Sequence, residues 1–256
     1  MSGRPRWSYV QARLQARHGD RLQEPDWRAI EAARSIEQFM ERVRASSLRR
    51  FTEHVNARMS SHAVERALRD AWRRYVAELA GWVPEEWRQA VLWASLFPDL
   101  PVIDGLRASE APTWIEPDPE FAALAKTNQT ARGVRPAALL VAGLAASGTR
   151  EETLAARWYA HWRTLWPRHP AAGRALREIA VAINAHVARL DGAGPHETSA
   201  RYRGELATAL TRLFRRHDGA PAALFCHLAL VVLDLERLRG GLVHRSLFAP
   251  AAEEAA

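Results

Sequence analysis

Residues 60–81 read SSHAVERALRDAWRRYVAELAG, and their spacing decides the fold class. Val64, Leu68, Trp72, Tyr75 and Leu79 recur at steps of three and four, which gathers them on one face of an α-helix. Ser60 and Ser61 precede the run, and Gly81 is the expected left-handed residue at its end, so the helix has about five turns. The same period continues outward on both sides. Upstream, Ser35 and Gln38 form a capping box ahead of Ile36, Phe39, Met40 and Val43. Asp26, next to Pro25, is a candidate N-cap, and Tyr9, Val10, Leu14 and the stem of Arg17 share a face of the first helix. Downstream, Pro84 opens a helix with Trp87, Val91, Leu92 and Leu96 inward, which Pro98 and Pro101 are expected to stop.

Residues 108–135 change character: Pro112, Pro117 and Pro119 lie close together, and only a short helix from Asp118 and Pro119, with Phe121 and Leu124 inward, is expected to interrupt the stretch. The helical period then resumes. An apolar helix is expected at 136–144, and Thr149 with Glu152 reads as a capping box for a helix carrying Leu154, Trp158, His161, Trp162 and Leu165 up to Pro167 and Pro170. Its successor carries Leu176, Ile179, Ile183, Val187 and Leu190 and ends in a loop at 191–195; the next carries Tyr202, Leu206, Leu210 and Leu213 and ends at Asp218, Gly219 and Pro221. Residues 222–233 are apolar apart from His227, which predicts a helix surrounded by others, ending at Gly240 and Gly241. Strand alternation is almost absent, so the class is all-α: an N-terminal helical lobe at 1–107, a proline-containing connection at 108–135 and a C-terminal helical lobe at 136–256.

Composition narrows the function. A chain of 256 residues buries a sizeable core, and 48% hydrophobic with 25% charged residues fits neither a disordered tail nor a fibrous polymer. A single cysteine, Cys226, excludes a disulfide framework, a CxxC pair and a multi-cysteine zinc site, which favours a cytoplasmic protein. Arg4 and Arg6 precede no apolar signal core, and no apolar run reaches the roughly 18 residues that span a bilayer. The ten tryptophans are read as core, flat rings filling the spaces between helices.

Catalytic motifs are missing from the sequence. It has no HExxH and no Glu-x-x-His pair; His54 and His62, like His161 and His169, stand eight apart, so no helical metal site forms from them. Cys226 and His227 are adjacent, about 100° apart on a helix, which prevents a nucleophile and base pairing; Cys226 reads as a small buried hydrophobe and His227 as a hydrogen-bonded core residue or, second, a proton-sensitive group. Phosphate loops and serine-hydrolase motifs are absent as well. The expectation is a protein without catalytic residues, cofactor, metal or small-molecule substrate.

Charge is the remaining signal. The net charge is +7, and Lys126 is the only lysine among 36 basic residues. Such a surface favours acidic partners: nucleic acid, anionic lipid or an acidic protein face. Arg42, Arg44, Arg49 and Arg50, and then Arg66, Arg69, Arg73 and Arg74, are interleaved with Glu41, Glu53, Glu65 and Asp70, which suggests solvated faces tied by weak ion pairs. Arg201, Arg203, Arg212, Arg215 and Arg216 have only Glu205 for company and form the better candidate contact surface.

Two terminal segments carry a family resemblance. Trp7, Ser8, Tyr9, Val10, Gln11, Ala12, Arg13, Leu14, Gln15 and Ala16 resemble the opening helix of the V-type ATPase central-stalk subunit, called C in prokaryotes and d in eukaryotes, with Gln15 where a basic residue is usual. Leu233, Asp234, Leu235, Glu236, Arg237, Leu238 and Arg239, followed by Leu242, Val243, His244 and Arg245, resemble its closing helix. Members of that family are all-helical, three-lobed and longer, so the resemblance implies a reduced or divergent relative. It also implies a noncatalytic role: a socket joining the soluble rotor to the membrane ring for ion transport, cytoplasmic and peripheral to the membrane through its partner subunits. On that reading Arg13, Arg17, Arg237, Arg239 and Arg245 contribute basic contacts to acidic partner surfaces. The alternative is a basic all-helical nucleic-acid-binding or regulatory module.

Overall fold

A computed structural model describes residues 4–103, 121, 153–191 and 199–247, and every regular element among them is helical. The order is α1 (Arg4–Gly19), α2 (Glu24–Glu31), α3 (Ile36–Arg44), α4 (Arg49–Thr52), α5 (Ser61–Ala80), α6 (Glu85–Trp93), a 3-10 helix (Ala94–Asp99), α7 (Leu154–Thr164), α8 (Pro170–Asp191), α9 (Ser199–Arg216) and α10 (Pro221–Leu247). The chain is all-α, as the spacing predicts. The expected connection over 108–135 apart from Phe121, the apolar helix at 136–144, the box of Thr149 and Glu152, and most of the loop after α8 lie outside the described residues.

Two compact units divide the chain, one of Met1–Leu68, Trp82–Pro84 and Pro167–Ala256, the other of Arg69–Gly81 and Glu85–Trp166. The expected first lobe therefore contributes residues to both units. In the first unit α10 packs against α1, α3, α8 and α9. Ala222, Ala223, Leu224, Cys226 and Leu230 are completely buried, as a near-continuous apolar helix requires. Helix α10 does not stop at Gly240 and Gly241 but runs on to Leu247. Close approach, and not helix termination, explains Gly241: a Cβ there would stand 2.5 Å from Cζ of Phe39, whose ring is fully buried. The left-handed glycine among the described residues is Gly219, at φ 71, in the turn between α9 and α10.

Local starts follow the sequence with two adjustments. Ser35 caps α3 by accepting from the Gln38 amide at 3.3 Å, and Ile36, Phe39, Met40 and Val43 are all buried. Asp26 acts from inside the first turn of α2, its carboxylate accepting from the Gln23 amide at 2.8 Å, so the cap is Gln23. Helix α7 is capped by Thr153, whose hydroxyl accepts from the Ala156 amide. Gly81 ends α5 without a left-handed turn, its amide shared between the carbonyls of Ala77 and Glu78. On α1, Val10 and Leu14 are buried but Tyr9 is 54% exposed; Gln11 lies inward instead, its Oε1 accepting from the Gly219 amide at 3.1 Å. The stripe on α8 is covered at Leu176 and Ile179 and left exposed at Val187 and Leu190.

The second unit is held by tryptophans. Pro98 was expected to stop α6, yet the chain tightens into the 3-10 helix, with residues 100–103 helical beyond it. Proline has no amide hydrogen to offer the Ala94 carbonyl, and that carbonyl instead accepts from the Trp72 indole at 3.1 Å. Helices α6 and α7 are tied reciprocally: Trp93 Nε1 donates to the Trp158 carbonyl at 3.2 Å, and Trp162 Nε1 to the Ala90 carbonyl at 3.0 Å. Each such bond contributes about 0.5–1.5 kcal/mol net. Trp93, Trp158 and Trp162 stack in sequence, and Trp166 meets Trp162 edge-on at 4.9 Å. Arg69 and Arg73 do not form a solvated face. They converge on Asp99, which is fully buried, with Arg73 Nη2 2.8 and 2.9 Å from its two oxygens.

Candidate interaction surface

Helices α1 and α10 meet in one unit, and their polar contacts follow the α1 sequence in order. Gln11 takes the Gly219 amide, Gln15 Nε2 donates to Asp218 Oδ1 at 3.1 Å, and Arg21, just past the helix, forms a two-pronged pair with Asp234 at 2.8 and 2.9 Å. Arg21 and Asp234 are both largely buried, so the paired charges fix the register of α10 against the α1 end. Burial pushes the Asp234 carboxyl above its usual range, while Arg21 and the Trp27 indole pull the other way.

The five arginines singled out by the resemblance lie in this unit. Arg13 and Arg17 come together over the Trp82 ring, at 4.5 and 5.5 Å from its centroid. Arg237 lies over Trp27 and pairs with both Glu24 and Glu31, at 2.7 and 2.6 Å; these partners raise its pKa further and hold the Glu24 carboxyl below its ordinary value. Arg245 donates to the carbonyls of Glu31 and Ala33 and lies over Phe39. Glu31 thus brings Arg237 and Arg245 together. Arg239 pairs with Glu65 at 3.1 Å and more loosely with Glu236. Most of this cationic charge is engaged within the unit itself.

Helices α8 and α9 present a different surface. Together they carry eight arginines against three acids. They run antiparallel, as their ion pairs record: Glu178 meets Arg216 and His217 at one end, and Arg189 meets Glu205 at the other. Glu205 also takes Arg201. Arg174, Arg177, Arg212 and Arg215 are exposed and have no ion pair among the described residues. Arg174 with Arg177, and Arg212 with Arg215, are like charges one turn apart, each such pair unfavourable by about 0.2–0.5 kcal/mol. Sequence reading singles out Arg212 and Arg215 but misses Arg174 and Arg177, because only the Glu178 contact shows that the α8 start lies beside the α9 end.

Other chemistry-bearing residues are occupied structurally. Cys226 is buried and its thiol is pushed up to about 12, so it carries no thiolate near neutrality. His227 is buried and its pKa is lowered to about 3 by burial first, then by Arg21, His18 and Arg17, which keeps it neutral. His18 stacks on Phe214 at 4.2 Å. His161 packs on Trp93, and His169 Nδ1 accepts from the Ala172 amide at the start of α8. An open hollow of about 290 Å³ is lined by Glu37, Met40, Glu41, Arg44, Asn56 and Ala57. Its Glu37 carboxyl is lowered by its own amide and by Ser35, the opposite of what a general acid needs.

Among the described residues no group of three or more His, Cys, Asp and Glu side chains is placed to hold a metal, and no helix is long and apolar enough to cross a membrane. No family model, curated protein or solved structure matches the chain.

Proposed function

We propose that the chain is a noncatalytic helical adaptor of the kind the V-type ATPase central stalk uses to join a soluble rotor to its membrane ring. What supports this reading is the pairing of α1 with α10: the two segments that carry the resemblance pack in one unit, and Arg21, two residues past α1, pairs with Asp234 of α10. An adaptor transmits force through shape, and helices tied by buried ion pairs and packed rings resist shear between them. The reading makes the protein cytoplasmic, peripheral to a membrane through partner subunits, and without catalytic residues. Affinity purification of the tagged chain from its own cells tests it. Rotor-axle and membrane-ring subunits should co-elute, and an eluate lacking both under conditions that keep a rotary complex intact contradicts the proposal.

A second reading, a basic nucleic-acid-binding module, is favoured by the exposed arginines of α8 and α9. Filter binding at two salt concentrations separates the two, because neutralising several phosphates makes affinity fall steeply with salt.

A further inference from the structure

We propose that the exposed face of α8 and α9 is a docking surface for an acidic protein helix, with Arg174, Arg177, Arg212 and Arg215 meeting its carboxylates. The inference rests on the adaptor reading and deepens it by naming the face that receives the partner and the partner's chemistry. The Glu178 pairs with Arg216 and His217 set the first turns of α8 beside the last turns of α9, so the four arginines share one end of the helix pair. None of them has an ion pair among the described residues, and the acids nearby in sequence are engaged elsewhere, Glu178 with Arg216 and His217 and Asp218 with the Gln15 amide group. A partner's carboxylates would relieve that like-charge crowding, and the guanidinium fork suits two-pronged recognition of a carboxylate.

What distinguishes a protein from a phosphate backbone is the rest of the α8 face. Val181, 68% exposed, lies one turn beyond Arg177 on the same side, and exposed Ala185 and Ala188 continue that row. Small side chains let a second helix approach closely, and an exposed valine beside them is apolar area that a partner helix would remove from water. A phosphate backbone has no apolar area with which to cover such a row. The phenyl and phenol rings of these two helices, Phe214 and Tyr202, are buried, which leaves the half-buried His186 imidazole as the ring nearest the surface for base stacking. A bilayer surface favours a continuous row of bulky apolar residues; exposed Val187 and Leu190 lie on α8 as well, but the row that runs from Arg177 through Val181 continues with alanine.

Fluorescence anisotropy on the full chain tests the proposal, with a labelled helical peptide carrying four glutamates at one end of a leucine–alanine face as the probe. The glutamate peptide should bind, and its glutamine counterpart should bind about tenfold or more weakly at low salt. Reversal of all four charges (R174E, R177E, R212E, R215E) should weaken the glutamate peptide by about the same factor. Val181→Asp should weaken it by about threefold or more. Reversal at Arg28 and Arg88, exposed residues elsewhere, should leave it unchanged. If the fourfold variant does not fold, as judged by circular dichroism, the pair R212Q and R215Q carries the test. Binding indifferent to these arginines overturns the proposal. So does tighter binding of a 20-base-pair DNA duplex, or of phosphatidylserine vesicles, with the same arginine dependence. Failure here leaves co-elution with rotor subunits untouched, and failure of co-elution leaves the peptide result standing, so the two readings fail separately.

Discussion

Helices α9 and α10 belong to one unit and both carry arginines, yet they use the residue in opposite ways. Arg237, Arg239 and Arg245 on α10 each meet a carboxylate or a backbone carbonyl supplied by α2, α5 or the turn that follows α2. Arg212 and Arg215 on α9 meet none among the described residues. The difference is not in the arginines but in where acids were placed around them. Glu24, Glu31 and Glu65 stand far from α10 in sequence and come to it only through the fold. An arginine that the fold satisfies is part of the scaffold, and one that it leaves unsatisfied is available to a partner.

Substitutions break that comparison at its strong end first. Asp234→Ala leaves Arg21 buried without its carboxylate and should cost about 3–5 kcal/mol in urea unfolding. His227, buried in α10, adds a pH dependence. Its folded pKa, about 3, lies below the ordinary 6.5, so its contribution to stability is full above 6.5 and is lost as pH falls toward 3. Unfolding free energy measured between pH 7 and 5 should fall more steeply for the native chain than for His227→Gln.

Two neighbouring glycines sharpen the scaffold half. Gly241→Ala should destabilise by about 1–3 kcal/mol, because its Cβ collides with the buried Phe39 ring. Gly240→Ala meets nothing within 4 Å and should stabilise by up to about 1 kcal/mol through helix propensity. The smallest effect belongs to α9. R212Q with R215Q should leave stability within about 0.5 kcal/mol, with any gain confined to low salt, because the change removes a like-charge pair and no bond.

Much of the fold was legible in the sequence because apolar periodicity is a local signal. Val64, Leu68, Trp72, Tyr75 and Leu79 are all buried where their spacing put them, and so is the run of α10. What escaped were features set by distant residues. Gly241 reads as a helix stop until Phe39 is known to press on it. Pro98 reads as a stop until the Trp72 indole is seen to take the carbonyl that proline leaves open. Arg69 and Arg73 read as surface until Asp99, thirty and twenty-six positions on, is found buried between them. The candidate surface was half legible: the acid-poor stretch of α9 is visible in the sequence, whereas its continuation onto α8 depends on the antiparallel pairing through Glu178.

The division between satisfied and unsatisfied arginines is tested most directly by measuring two variants side by side, Arg237→Gln and the pair R212Q with R215Q, for both urea stability and binding of the glutamate peptide. The account predicts that Arg237→Gln lowers stability and leaves peptide affinity intact below its unfolding midpoint, while R212Q with R215Q leaves stability intact and weakens the peptide. The opposite assignment, peptide affinity lost at Arg237 and retained without Arg212 and Arg215, would contradict it.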